Sequence, residues 1–365
     1  MSVVISSAYK TLGFHRTPAE WEYHSCTWMG WPHRPDNWRH KAKHAQEAFV
    51  EVATAISKYE TVKLCVPPSE MSNALSILPS TIHVIEMSMN DAWFRDTSPT
   101  FVRTSDGTLA GVDWEFNAWG GIYSNFEYDN QIAERITDIA NCPRIISKMV
   151  LEGGSIIVDG EGTLITTEEC LLNPNRNPEM NKDDIERTLK EYLNIQTVIW
   201  LPFGLVGDDD TNGHIDNICC FTEPGSVLLA WTNDMTDPQY ERSIQALHIL
   251  QNSVDAKGQS FNVRKLILPP PMYIKDEDME GLDIEYETYE NRYSGKRLAA
   301  SYVNMYICNG AVIVPCLSKE TDDIAKQTIQ EAFSGRDIVM IERSKDILLG
   351  GGNIHCITSQ QPYCV

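Results

Sequence analysis

Basic residues are scarce in this chain. Its 365 residues hold 30 Lys and Arg against 51 Asp and Glu, a formal charge of −21. Such a field repels phosphate backbones and anionic lipid headgroups and draws cations in. That sets nucleic acid and membrane aside as partners and favours a small cation. Long apolar runs are missing too, and none approaches the length that crosses a bilayer. The opening MSVVISSAYK has no basic n-region and too short an apolar run for a secretory signal. The ten cysteines form no CxxC pair and no zinc-like spacing. Most lie inside apolar runs such as KLCVP and NICCF, as reduced, buried thiols do. The expectation is a soluble, cytoplasmic protein, and at 42% hydrophobic residues it has material for a sizeable core.

What is present is repetition. Amphipathic helical patterns cover 36–59, 181–194, 237–254 and 320–334, with a weaker one at 129–141. Each precedes a short apolar run that reads as a strand: TVKLCVP, RIISKMV, TVIWLP, VRKLILP and DIVMIE. Hairpin patterns follow in four cases, SPTFVRTSDGTLAGV, GGSIIVDGEGTLITT, HIDNICCFTEPGSVLLAW and SYVNMYICNGAVIVPC. The fifth is split: GGNIHCIT near the C-terminus supplies one strand and HSCTWMGWP, residues 24–32, its partner. A unit repeated five times and closed head to tail predicts an α/β fold, a five-bladed α/β propeller forming one domain over 1–365. The alternative is a plain α/β sandwich with similar local elements.

The segments joining strand to hairpin carry the chemistry. They hold Trp93 and Asp96 in DAWFRDTSPTF, Glu152 in LEGGSI, His214 and Asp216 in GDDDTNGHIDN, and Cys356 in GGGNIHC. The segment EYETYENRYSGKRLAASYVN offers nothing equally sharp. On a strand, His214 and Asp216 would face one side together. A thiolate is a nucleophile and an imidazole moves its protons. A thiol protease needs no extra carboxylates, which would repel a developing oxyanion. A planar guanidinium does need them, because two carboxylates can grip its N–H groups while Trp93 and Trp119 lie against it. Nucleophilic attack on a guanidinium carbon follows. Asp208, Asp209 and Asp210 read as a solvated charge run, and His24, His33, His40 and His248 as surface or structural residues.

The stretches HRTPAEWEYHSCTWMGWP, WFRDTSPTF, LEGGSI, GHIDN and GGGNIHCIT resemble the agmatine deiminases of the guanidine-modifying pentein superfamily, nearly end to end. The chain departs at Thr17, where the family often has Met, and at Ser359, where it has glutamine. The resemblance implies that Cys356 attacks the guanidinium carbon of agmatine. His214 would protonate the departing ammonia and then activate water, releasing N-carbamoylputrescine for putrescine and polyamine biosynthesis. It further implies that Asp96 and Asp216 hold the guanidinium and that Glu152 orients His214 or grips substrate. Asp210 is the candidate for the distal ammonium. The resemblance implies no metal or organic cofactor, and a homodimer. Gly350, Gly351 and Gly352 would bring backbone close to substrate at positive φ. Rival readings are a deiminase of free or peptidyl arginine and an amidinotransferase. More distant ones are a metal-dependent hydrolase with His214, Asp216, Glu152 and Cys356 as ligands, and a non-catalytic binding ring.

Overall fold

A computed structural model describes residues 4–5, 14–283 and 292–364. The part of EYETYENRYSGKRLAASYVN before Arg292 therefore lies outside the described residues. The strands form five small sheets. In three of them an antiparallel pair is followed by a helix and then by a third strand parallel to the second. These are Ile156–Val158, Thr163–Thr167 and Thr197–Leu201; Cys219–Glu223, Ser226–Trp231 and Asn262–Ile267; and Tyr306–Cys308, Ala311–Pro315 and Asp337–Ile341. The second sheet repeats the plan with Thr100–Thr104, Leu109–Glu115 and Arg144–Val150, and adds Phe14–Arg16 and Val4–Ile5 at its edges.

The first sheet is built from both ends of the chain. Thr358–Pro362 pairs antiparallel with His24–Gly30, which runs parallel to Val62–Val66, itself parallel to His83–Glu86. The expected closure is therefore present, but the closing strand begins two residues after Cys356. Cys356 lies in the turn that leads into that strand. A ring closed this way is the five-bladed α/β propeller, and it leaves five connections between blades directed at its axis.

Local chemistry explains the helix ends. Asn181 and Asp184 form a reciprocal capping box at the start of Lys182–Leu193. Asp237 accepts from the Gln239 N–H with Pro238 as first helical residue. Asn141 and Asn194 end their helices in the left-handed conformation. The helix expected from residue 36 starts only at Lys43, because His40, Lys41 and Ala42 have φ of 52°, 55° and 63°. The His40 N–H is tied to the Gly281 carbonyl, and Trp38 is inserted under Trp93 and Gly350. Tertiary contacts override helical periodicity there.

The middle strands Thr163–Thr167 and Ala311–Pro315 are buried at every residue, as strands between two covered faces must be. Among the described residues no helix is long and apolar enough to cross a membrane. Closure of the ring has a measurable anchor. Trp28 is fully buried and donates through Nε1 to Gln361 Oε1 across the seam. Trp28→Ala should lower the unfolding free energy by about 3–5 kcal/mol. Gln361→Ala should cost about 1 kcal/mol. Urea denaturation of the two variants checks both values.

Candidate active site

Each connection between blades delivers at least one polar side chain to the axis. Asp96 comes from the short helix Phe94–Thr97 between the first two sheets. Glu152 precedes a 3-10 turn, Gly153–Ser155, between the second and third. His214 and Asp216 come from the third crossing, and Cys356 from the fifth. The fourth crossing, whose sequence shows nothing equally sharp, supplies Asn304. Asn304 Nδ2 donates to Cys356 Sγ at 3.1 Å and to Asn217 Oδ1 at 3.0 Å. The signal that finds Asn304 is its repeat position, just ahead of a hairpin, because asparagine by itself carries no catalytic signature.

His214 and Asp216 do meet at the site, but not by the route expected. They belong to a 3-10 turn, Ile215–Asn217 with His214 just before it, and the strand begins only at Cys219. Asp208 shapes this turn. It is buried and accepts from the His214 N–H at 2.9 Å, from Asn217 Nδ2 at 3.0 Å and from Thr211 Oγ1 at 2.7 Å. Burial pushes its carboxyl up to about 6. The run 208–210 is thus no solvated face, and only Asp209 is exposed. Asp210 is held between Arg292 and Lys296, the latter at 2.8 Å. Its carboxylate already has two cationic partners, whereas the sequence reading gave it to a substrate ammonium.

Close approach at the axis requires glycine. A Cβ on Gly154 would lie 2.7 Å from His214 Nδ1 and 2.9 Å from both Asp216 Oδ2 and Asp96 Oδ1. The same Asp96 oxygen accepts from the Gly154 N–H at 2.9 Å, and Asp96 Oδ2 accepts from Trp119 Nε1 at 2.8 Å. A Cβ on Gly352 would meet Cys356 Sγ and the Trp93 ring, each at 2.8 Å. Of the three consecutive glycines only Gly351 has positive φ, at 116°. The other two are there for close approach alone.

Cys356, Trp93, Asp96, Trp119, Gly352 and Asp210 line one cleft of about 290 Å³. Trp93 is fixed by stacking on Trp38 and by donating from Nε1 to Asp91. Cys356 Sγ lies 3.6 Å from Asp216 Oδ2. Asp216 Oδ1 is buried with no hydrogen-bond partner. Burial, with Asp216 and Asp96 beside it, holds the Cys356 thiol well above its ordinary value. Burial also raises Asp96 despite His214 at 3.9 Å. For His214 burial works downward, but Asp96, Cys170 and Glu152 outweigh it and hold the imidazole well above its usual range. The same surroundings thus disfavour the thiolate at Cys356 and favour the protonated imidazole at His214.

Glu152 stands behind His214 and is fully buried with Arg176, whose Nε donates to it at 2.5 Å. Arg176 and Cys170 were passed over in the sequence, because nothing local marks either. Glu152, Cys170 and His214 place ligand-type atoms within 4.8 Å of one another. This is the one group among the described residues that could hold a metal, and it includes neither Cys356 nor Asp216. Arg176 already supplies the positive charge that Glu152 needs.

The chain matches the model of the Porphyromonas-type peptidyl-arginine deiminase family over residues 16–362. It is 51% identical over 363 residues to the agmatine deiminase of Medicago truncatula, covering 96% of each chain. It is 50% identical over 353 residues to that of Pseudomonas aeruginosa strain LESB58, covering 95% of each. A solved structure of the agmatine deiminase of Enterococcus faecalis superposes with a TM-score of 0.94 at 41% identity, covering 100% of both chains.

The thiol's environment gives the first test of the site. Alkylation of Cys356 by iodoacetamide, read on its peptide by mass spectrometry, should be slow at neutral pH. It should accelerate only as the pH passes well above 9. Rapid labelling of the ligand-free protein at neutral pH would mean a resting thiolate and contradict the electrostatics just described.

Proposed function

Because this chain belongs to the Porphyromonas-type peptidyl-arginine deiminase family, we propose that it hydrolyses the guanidinium of agmatine to N-carbamoylputrescine and ammonia. The observation that carries this reading is Cys356 in a cleft lined also by Asp96, Trp93 and Trp119, with a second buried carboxylate, Asp216, 3.6 Å from its sulfur. That arrangement suits a flat cation with several N–H donors. The relatives quoted above, at about half identity over nearly the whole chain, are agmatine deiminases.

The chemistry follows from the charges. A guanidinium entering the cleft brings the positive charge that the buried acids lack. Asp96 and the free oxygen of Asp216 take its N–H groups, while Trp93 and Trp119 cover its flat sides. The incoming charge makes the thiolate affordable, and the S–H proton leaves toward Asp216 Oδ2, its nearest carboxylate oxygen. The sulfur attacks the guanidinium carbon and gives a tetrahedral adduct. His214, already protonated, donates to one nitrogen, the C–N bond breaks, and ammonia departs. An amidino thiouronium remains on Cys356. The now neutral His214 takes a proton from water, the oxygen attacks the same carbon, and the C–S bond breaks. The proton held by Asp216 returns to the sulfur, and the product's hydroxyl proton leaves on ammonia as ammonium, freeing the ureido product. Glu152, fixed by Arg176, orients His214 and does not touch substrate. Asn304 holds the sulfur on line through its Nδ2–H. Asp210 acts indirectly, keeping Arg292 and Lys296 occupied near the path of the substrate's distal ammonium. Residues 1–365 act as one catalytic unit, since all five crossings contribute to the site. The homodimer rests on family resemblance, and sedimentation of the purified protein tests it.

Cys356→Ser should abolish ammonia release from agmatine, a loss on the order of 10³-fold or more, with the melting temperature unchanged. Full activity in that variant would remove the thiolate mechanism. Agmatine should exceed arginine in kcat/KM by about 100-fold, and the reverse order would reassign the substrate to the arginine class. Prolonged dialysis against a chelator should leave turnover intact, and loss restored by a metal would revive the Glu152, Cys170 and His214 set as ligands.

A further inference from the structure

The stretch HRTPAEWEYHSC was singled out in the sequence, yet the mechanism above uses none of it. In the structure its Glu20 lines two cavities that share no residue with the Cys356 cleft, and Asp216 and His355 line the first of them. From Glu20 an unbroken series of buried contacts runs inward. Glu20 meets His355 Nε2 at 2.9 and 3.1 Å. His355 Nδ1 meets Asp216 Oδ2 at 2.9 Å. Asp216 Oδ2 is in turn the oxygen 3.6 Å from Cys356 Sγ. Arg95 Nη1 braces Glu20 at 3.1 Å, and Arg95 Nε donates to the His355 carbonyl at 3.3 Å.

We propose that His355, backed by Glu20, is a positioning residue that holds Asp216 from the cavity that Glu20 lines. One Asp216 oxygen is thereby kept beside the Cys356 thiol and the other is left open for the substrate guanidinium. The inference rests on the catalytic reading above and deepens it. Its physical content is a division of labour on one carboxylate. Asp216 Oδ1 has no partner in the protein. Oδ2 is engaged by the imidazole N–H, so rotation of the carboxylate would forfeit a buried charge-assisted hydrogen bond.

The electrostatics agree with the geometry. Burial and Arg95 work against a charged His355, while Glu20 and Asp216 outweigh them and hold it above its usual range. Burial likewise works against a charged Glu20, but His355 and Arg95 hold its carboxyl down to about 2. The charged or titratable groups facing this pair are Asp216, Arg95, His24, whose Nε2 donates to the Glu20 carbonyl, and the Cys220 thiol.

Three variants test the proposal: Glu20→Gln, His355→Asn and His355→Ala. An asparagine amide sits near the place of the imidazole Nδ1–H and can still reach Asp216, but it cannot reach Glu20. His355→Ala should lose on the order of 10–100-fold in kcat/KM for agmatine. His355→Asn should recover much of that loss. Glu20→Gln, which keeps the shape, should lower the pH at which His355 deprotonates and so move the alkaline limb of kcat/KM downward. In the same variant the alkylation curve of Cys356 should move to higher pH, because the imidazolium nearest Asp216 is lost earlier.

That last readout needs no substrate, so it separates the two ideas. Failure of the wild-type chain to turn over agmatine, with the alkylation shift present, sinks the proposed function and spares the positioning role. An unmoved alkylation curve in Glu20→Gln, together with His355→Asn no better than His355→Ala, overturns the positioning role. If His355→Ala does not fold, Glu20→Gln and His355→Asn measured against the wild type decide by the same two criteria.

Discussion

Buried charge is the constraint on which this molecule is arranged. Each acid at the axis faces a base: Asp96 with His214, Asp216 with His355, Glu152 with Arg176, and Glu20 with Arg95. An unpaired charge in such a place would cost several kcal/mol. Cys356 has no such cation beside it, and burial with Asp216 and Asp96 nearby disfavours its thiolate. On the proposed reading a planar cation supplies the charge that a thiolate requires, so that binding the substrate and activating the nucleophile are one electrostatic event.

The ring is what makes such a site possible. Five crossings arriving at one axis bring residues from Asp96 to Cys356 into a few ångströms without any long loop. Backbone must pass close by, hence the glycines that no side chain can replace. The Cβ missing at Gly154 is the room occupied by His214, Asp216 and Asp96, and the one missing at Gly352 is the room occupied by Cys356 and Trp93. Closure of the ring through Thr358–Pro362 and His24–Gly30 fixes the turn that carries the thiol. The segment with Glu20 leads directly into His24–Gly30, and Glu20 meets His355 in the same turn. The segments His24–Gly30 and Thr358–Pro362 are thereby parts of the wall around the chemistry.

Much of this was legible beforehand, because periodicity and turn chemistry are local. Helices at 182–193, 238–252 and 322–332 lie within the predicted spans, and the four hairpins fall where their glycine turns placed them. Cys356, His214, Asp96 and Asp216 stand together as the residue types demanded. Where the reading failed, a distant residue had intervened. Helical periodicity before Lys43 yielded to the insertion of Trp38 against Trp93. The strand assumed for His214 and Asp216 is a 3-10 turn, because buried Asp208 ties that backbone down. Asp210 looked free because Arg292 and Lys296 are more than eighty residues away.

By itself the sequence determined the repeat, the pairing of segments near its two ends and the candidate residues that meet at the axis, since each depends on spacing or on the intrinsic chemistry of a side chain. Tertiary structure alone decided which acid pairs with which base, that Asn304 reaches the sulfur, and that His355 stands behind Asp216 while its neighbour Cys356 faces the cleft. Those outcomes depend on distances between segments from separate blades. A distance across a ring is set by packing and closure, and no local pattern encodes it.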